Sequence, residues 1–305
     1  MISVCIPTYN RLPLLKRCLD SISNGFGDYK HEIIIADGGS TDGTLEYLRG
    51  LNNIKLMEMG KLTGATKAFN ACFKAAKGEY IIIGSDDIVF VPEVCTKACK
   101  LMDKNKQIGM VSPKVMLQEG RLPALSLMTK QFWTILTLTF IVRRSVLEEM
   151  GYFDERYYSY FIDTDTSISI LYLGYTVVVT REIGMYHKHP LSSRDNEAYQ
   201  RNRKLRQEDM MRGYKKWDDL GIKIRKYLRN SYWKKQRALF FTRCCSLMYD
   251  VELLQTFIKK HYKYAMKLHD FFLENVTVFK DKNYNHLEDF FLAQKYPDEI
   301  IKKKV

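Results

Sequence analysis

The sequence lacks a disulfide framework, a membrane-length apolar run and, over its last third, almost all proline. Its seven cysteines, Cys5, Cys18, Cys72, Cys95, Cys99, Cys244 and Cys245, are odd in number and scattered. Such a set excludes the small stapled folds of secreted proteins and reads as reduced thiols. Cys95 and Cys99 could share a helix face, but no His or Cys pair nearby completes a zinc site. The longest candidate span, "FWTILTLTFIV" at 132–142, is too short to cross a bilayer and carries three threonines. No secretory leader precedes the first strand, so the expectation is a cytoplasmic protein. Proline disappears between Pro190 and Pro297, which leaves that stretch free to form long helices.

What is present is enough for a core. Across 305 residues, 46% are hydrophobic, which rules out wholesale disorder. The net charge of +13 is unevenly spread. Residues 1–200 hold 23 Lys and Arg against 22 Asp and Glu, whereas residues 201–243 hold 15 against 4. The expected organisation is therefore a nearly neutral domain at 1–195 followed by a basic, mostly helical region at 196–305.

Along the first part, strand and helix patterns alternate. Residues 2–6 read as a strand, and 12–23 as a helix with Leu15, Leu19 and Ile22 on one face. "HEIIIADGG" is a second strand, and Ser40 is the expected N-cap of a helix ending near Gly50. "IKLMEM" is a third strand, 65–76 an amphipathic helix and "EYIIIGSDD" a fourth strand. Helices are expected at 144–150 and about 164–173, with short strands at "GMVSP" and "TVVVT". Later, Val251, Leu254, Ile258, Tyr262, Ala265, Leu268 and Phe272 keep helical spacing. Alternation of this kind predicts βαβ units, a mainly parallel Rossmann-like sheet with flanking helices, and a C-terminal helical appendage.

Ligands of such sheets bind beyond the carboxyl ends of the strands. Thr8 to Asn10, Asp37 and the adjacent Asp86 and Asp87 all fall there. Two neighbouring carboxylates at a strand end suit a hard divalent cation, Mg²⁺ or Mn²⁺, which takes oxygen ligands and bridges to substrate phosphates. Taken alone, the dipeptide reads first as a solvated turn, and only its context turns it toward a metal.

Five stretches, in order, carry more information than any one of them: "SVCIPTYNR" (3–11), "IIIADGGSTDGT" (33–44), "GATKAFNACFKAAKGEYIIIGSDD" (64–87), "GYFDE" (151–155) and "YFIDTDTSISILYLGY" (160–175). Together they resemble the family 2 glycosyltransferases, whose fold is GT-A, over about residues 2–190. The resemblance implies an inverting transfer from a nucleoside-diphosphate sugar, most simply a UDP-sugar, to a glycan, lipid-linked or other hydroxyl acceptor, with Mn²⁺ or Mg²⁺ as cofactor. It implies nucleotide contacts from Pro7, Thr8, Tyr9, Asn10 and Arg11, base recognition by Asp37, and further donor contacts from Lys67 and Asn70. Asp86 then meets the ribose, and Asp87 holds the metal in the family's DXD-type element. Gly38 stands where many members carry a second aspartate. In "FIDTD", Asp163 matches the general base, with Asp165 the alternative; Ile162 and Ser169 replace a glutamate and an arginine common there. His187 matches a metal- or diphosphate-binding histidine of some members, against the plain reading of a structural histidine.

Two other readings are weighed against this one. A nucleotidyltransferase would show a glycine- and lysine-rich loop after the first strand, where this chain has "PTYNRLP". A nucleic-acid-binding protein would work through the basic tail, where aromatic residues stand among Lys and Arg; no nucleic-acid partner is expected on the favoured reading. That tail is instead a candidate for peripheral contact with an anionic membrane, or simply a solvated helical face.

Overall fold

A computed structural model of the chain describes residues 1–117, 121–124, 126–128, 133–135, 139–187, 197–220, 278–279 and 291–294. Residues 251–272, and the part of the basic run beyond 220, lie outside the described residues.

The chain begins β1 (Ile2–Thr8), α1 (Leu12–Asp20), β2 (His31–Asp37), α2 (Thr44–Arg49), β3 (Ile54–Glu58), α3 (Ala65–Ala75) and β4 (Tyr80–Ile83). It continues with β5 (Ile88–Phe90), α4 (Pro92–Lys104), β6 (Ile108–Leu117), β7 (Arg121–Ala124), β8 (Ser126–Met128), β9 (Trp133–Ile135), β10 (Ile141–Arg143), α5 (Arg144–Glu149), α6 (Ile162–Tyr172) and β11 (Thr176–His187). Helix α7 (Glu197–Asp219) follows, then the short strands β12 (Val278–Phe279) and β13 (Phe291–Gln294). The helical expectation for the C-terminal region thus holds for α7, while β12 and β13 extend the sheet beyond β11.

The central run is β3-β2-β1-β4-β10-β6-β11. Every strand in it points the same way except β10, which lies antiparallel to both neighbours. Both faces are covered, which is why "YIII" and "EIIIAD" are continuous apolar runs rather than alternating ones. The period of two still sorts them. Ile81 and Ile83 enter one core with Phe69, Phe73, Phe153, Ile168 and Trp217. Tyr80 and Ile82 enter the other with Leu15, Cys18, Cys95 and Cys99. Each fully buried side chain of this size contributes about 1.5–3 kcal/mol, so the sheet is held between the two layers. Cys95 and Cys99 lie on the buried face of α4, as free thiols.

Parallel strands in register bring their carboxyl ends to one rim. Thr8 pairs with Asp37, and Asp37 with Glu58. β4 runs alongside as far as the Cys5–Ile83 pair. The loops after β1, β2, β3 and β4 therefore emerge side by side.

Candidate functional site

The first two loops are laced together. Asn10, with a left-handed backbone (φ 51°), donates its N–H to Ser40 Oγ at 2.9 Å and accepts Thr41 N–H on Oδ1 at 2.7 Å. Asp37 lies beneath, almost fully buried. Its Oδ1 accepts the N–H groups of Gly39 (2.9 Å) and Ser40 (2.8 Å), and its Oδ2 accepts Ser40 Oγ at 2.6 Å. Ser40 is thereby spent on the loop and does not cap a helix. Gly43 (φ 90°) takes the N-cap of α2, which starts at Thr44. Tyr9 projects outward, 38% exposed, and a Cβ on Gly38 would stand 3.2 Å from its ring.

Asp86 and Asp87 occupy the turn between β4 and β5, closed by Ile88 N–H on Ser85 O at 3.1 Å. They are 4% and 5% exposed. Two carboxylates out of water need compensation, and three residues supply it. Thr8 Oγ1 donates to Asp86 Oδ2 at 2.9 Å. Arg11 Nη1 donates to Asp86 Oδ1 at 3.1 Å and to Asp87 Oδ2 at 3.0 Å. His187, at the end of β11, brings Nε2 to 3.2 Å from Asp87 Oδ1. The backbone enforces this last approach, because His187 pairs with Ile88 in the β11–β5 ladder.

The two carboxyls differ in consequence. Burial pushes Asp86 up to about 6, against the pull of Arg11 and with a push from Asp87. Burial also works to raise Asp87, but the His187 contact, Ser85 and Arg11 outweigh it and hold this carboxyl at about 2. Their presence, in turn, raises the Arg11 guanidinium against its own burial. One group is poised and the other stays ionised.

The site passes a chemical test for a divalent cation. Asp87 Oδ1 is buried and receives no well-aligned hydrogen bond; His187 Nε2 is close to it without donating cleanly. An ionised oxygen left in that state beside an imidazole nitrogen suits a metal ion. Among the described residues no cluster of three or more His, Cys, Asp or Glu side chains stands ready for a metal. Asp87, with His187 beside it, would therefore act with oxygens from the ligand, as sites of one or two carboxylates do when substrate phosphates complete the shell of a divalent cation.

The other residues singled out from the sequence are placed less uniformly. Pro7 is half-buried at the end of β1, and Lys67 is exposed in the first turn of α3. Asn70 does not face the rim loops. Its Nδ2 donates to Phe153 O at 2.8 Å and Glu155 Oε1 at 3.1 Å, and its Oδ1 accepts Phe153 N–H at 3.0 Å. The side chain holds "GYFDE" against α3.

Asp163 and Asp165 part company in the first turn of α6. Asp165 is 3% exposed and fully engaged: Lys216 Nζ at 2.8 Å, Trp217 Nε1 at 2.8 Å and Tyr157 OH at 3.2 Å all donate to it. Asp163 keeps part of its surface open and accepts Thr164 N–H at 2.8 Å. Loss of water pushes Asp163 up to about 6, although the Thr164 amide and the charge of Arg206 pull it down. A carboxylate of that kind is suited to accept a proton near neutral pH. The loop before it joins the rim through Tyr158, whose carbonyl accepts Thr66 N–H at 3.3 Å. Gly64 (φ 93°) is required there, since a Cβ would lie 2.5 Å from Tyr158 O.

Sequence reasoning missed the part played by α7. Trp217 is 2% exposed and belongs to the core of the α/β body; Tyr214 meets the Phe161 ring edge-on at 5.5 Å. These rings, considered above among the tail aromatics, turn inward. Their signal in the sequence was apolar spacing at 210, 214 and 217, hidden by the charges between.

The glycosyl transferase family 2 model matches residues 3–163. The dolichol-phosphate mannosyltransferase of Pyrococcus furiosus is 29% identical over 114 residues, 36% of this chain and 32% of that protein. The poly(ribitol-phosphate) beta-glucosyltransferase of Bacillus spizizenii is 38% identical over 95 residues, 29% of this chain and 15% of that protein. This chain thus matches a third or less of the length of either relative. Among solved structures, a fragment of S. aureus TarS in complex with UDP-GlcNAc has a TM-score of 0.53 at 23% identity, covering 63% of this chain and 59% of that one. Mannosyltransferase PcManGT from Pyrobaculum calidifontis, in complex with GDP-Man and Mn²⁺, has a TM-score of 0.52 at 22% identity, covering 66% and 60%. At these identities the likeness is one of fold.

Proposed function

Since the chain belongs to glycosyl transferase family 2 and has the GT-A fold, we propose that it is a metal-dependent inverting glycosyltransferase. It moves a sugar from a UDP-sugar to the hydroxyl of a glycan or lipid-linked acceptor. The observation that carries this reading is the buried Asp86–Asp87 pair at the carboxyl rim, bound by Thr8 and Arg11 and approached by His187. The UDP-GlcNAc and GDP-Man complexes of the structural neighbours support the donor class. A nucleic-acid-binding reading finds no support in these matches.

In this mechanism residues 7–11 and the loop braced by Asp37 bind the nucleotide. Asp37 Oδ2 accepts one hydrogen bond, from Ser40, and keeps a lone pair for a base N–H. Lys67, exposed in the first turn of α3, borders the donor, while Asn70 braces the 151–155 loop behind it. Asp86, oriented by Thr8 and Arg11, meets the ribose hydroxyls. A Mn²⁺ or Mg²⁺ held by Asp87 and His187 would supply charge neutralisation at the departing diphosphate. Asp163 accepts the proton of the acceptor hydroxyl as that oxygen bonds to C1 of the sugar. The bond from C1 to the diphosphate oxygen breaks with its electron pair, and the anomeric configuration inverts.

The basic run at 201–243 remains the part proposed to meet an anionic membrane, with two of its charges already engaged within the protein. Lys215 is paired with Asp219 at 2.8 Å and Lys216 with Asp165. No helix among the described residues is long and apolar enough to cross a membrane.

The deciding experiment is a screen of sugar nucleotides for release of nucleoside diphosphate with Mn²⁺ and with EDTA. Turnover of a UDP-sugar, lost in EDTA and in Asp87→Ala, is expected. Asp163→Asn should retain UDP binding and lose turnover by about 10²–10⁴-fold. Full activity in EDTA or in Asp87→Ala would remove the metal assignment, and a purely GDP-sugar preference would replace the base.

A further inference from the structure

One buried carboxylate is used by none of the steps above. Asp209, on α7, is 0% exposed. It accepts three consecutive backbone N–H groups: Tyr158 at 2.9 and 3.0 Å on its two oxygens, and Ser159 and Tyr160 at 2.9 Å on Oδ2. Arg212, one turn on, donates to Oδ1 at 3.0 Å. Three successive amides converging on one oxygen make an anion-binding concavity, here filled by a side chain of the same protein. Burying a charge is costly, and solvent or a neutral hydroxyl would serve an ordinary loop.

What this loop leads into explains the expense. Phe161 follows at φ 68° and ψ −4°, as the N-cap of α6. A left-handed aromatic residue is strained by about 1–3 kcal/mol and persists only where its surroundings hold it. The next turn carries Asp163. Helix α7 addresses this segment with one face. Arg206 lies 5.7 Å from the centre of the Tyr160 ring, Asp209 holds 158–160, Gly213 lies against Phe161, and Lys216 and Trp217 bind Asp165. Those positions recur every three or four residues, as one helical stripe does. The contact at Gly213 is so close that a Cβ would lie 2.1 Å from Phe161 ring atoms.

We propose that Asp209 is a positioning residue for the transfer reaction: by fixing the amides of 158–160 it holds Phe161 in its strained turn and aims Asp163 at the acceptor oxygen. This rests on the reading of Asp163 as the base. A second consequence is that α7 belongs functionally to the transferase body, although the charge pattern assigns it to the tail.

The test uses the full chain, Mn²⁺ and whichever of UDP-glucose, UDP-galactose and UDP-GlcNAc is turned over fastest, with UDP release as readout. Misplacing a reacting group by an ångström costs up to about 10²-fold. Asp209→Asn keeps the shape but turns an N–H₂ toward the amides. Its kcat should fall by that order, while the donor KM and calorimetric UDP affinity stay within about threefold. Gly213→Ala gives the same split without touching the carboxylate, and it raises the helix propensity of α7. A displaced Asp163 should also lose part of the charge effect of Arg206 that favours its ionised form, moving the acidic limb of the pH–kcat/KM profile upward. Leu15→Ala, in the opposite core layer, serves as the control matched for loss of melting temperature. The proposal is overturned if Leu15→Ala loses kcat equally, or if both α7 variants keep kcat or change only KM. If Asp163→Asn itself keeps full turnover, the base reading falls first and this inference with it. A dead Asp163→Asn beside fully active α7 variants removes the inference alone.

Discussion

Removing the Asp165 carboxylate should weaken the hold of the last turn of α7 on α6, while Asp209 keeps the amides of 158–160 and with them the aim of Asp163. Asp165→Ala deletes the acceptor for three donors. Trp217 is buried, so its indole N–H would be stranded at about 1–3 kcal/mol. Lys216 is better off: its side chain is 24% exposed and Asp154 remains 3.6 Å away. The full cost of breaking a buried ion pair, about 3–5 kcal/mol, is therefore an upper bracket that already includes the indole. At about 2–4 °C per kcal/mol for a domain of this size, a cost between about 1 and 5 kcal/mol should lower the melting temperature by about 2–20 °C. Asp165→Asn should cost less, because an amide oxygen can still accept from Trp217. Scanning calorimetry and urea unfolding give the stability, and UDP release below the new melting point gives the activity of the folded fraction. That fraction should turn over within about threefold of wild type, since Asp165 has no free face for an acceptor. The reasoning fails if Asp165→Asn melts normally yet loses about 10²–10⁴-fold in kcat, for then Asp165, not Asp163, takes the proton.

Three further outcomes follow from the geometry. Turnover should lose activity below pH about 6, where Asp163 protonates, and Arg206→Ala should move that limb to higher pH because the arginine favours the ionised form; an unmoved limb counts against Asp163. The same carboxyl binds its proton more tightly folded than unfolded, so stability should decline as pH rises from about 4 to about 6, and calorimetry should find Asp163→Asn more heat-stable than wild type at pH 7.5 but not at pH 3.5. Gly64→Ala should destabilise the fold by more than about 1 kcal/mol, the ordinary glycine-to-alanine difference reversed in sign, because the new methyl meets Tyr158 O; equal melting temperatures would show the 64–158 contact to be soft.

The β/α order of the first half was legible because each element buries one stripe. Leu15 and Ile22, both expected on the inner face of the first helix, are fully buried, although α1 itself closes at Asp20 and Ile22 sits in the following turn. The rim residues were legible as positions, since strand ends are where loops gather. Side-chain orientation was not. Asn70 and Asp37 hold loops by hydrogen bonds to backbone groups, and no residue pattern specifies which way an amide or carboxylate turns. Ser40 looked like a helix cap because serine suits either role; Asp37 and Asn10 won it for the loop. The reversal of β10 inside a parallel sheet was also invisible, because "IVR" is too short to carry a direction. Least legible was Asp209, whose partners lie about fifty residues earlier in the chain and meet it only after α6 and α7 have packed.

The seating of His187 has a consequence for what the chain can tolerate. Its place beside Asp87 is set by main-chain pairing of β11 with β5 and with β6, not by the side chains along the strand. Replacing Met185 or Tyr186 can alter packing yet leave the imidazole where it is, whereas a Cβ on Gly184 would lie 2.4 Å from Pro113 Cβ and push the two strands apart. Gain or loss of a single residue is another matter: strand side chains alternate, so a one-residue slip would send position 187 to the opposite face of the sheet. The register irregularities between Val179 and Met185 are where such a length change could be absorbed before it reached the rim. Drift by replacement and drift by indel thus meet very different resistance in the same strand: the first is barred chiefly at Gly184, whereas the second can silence the site from any position along it.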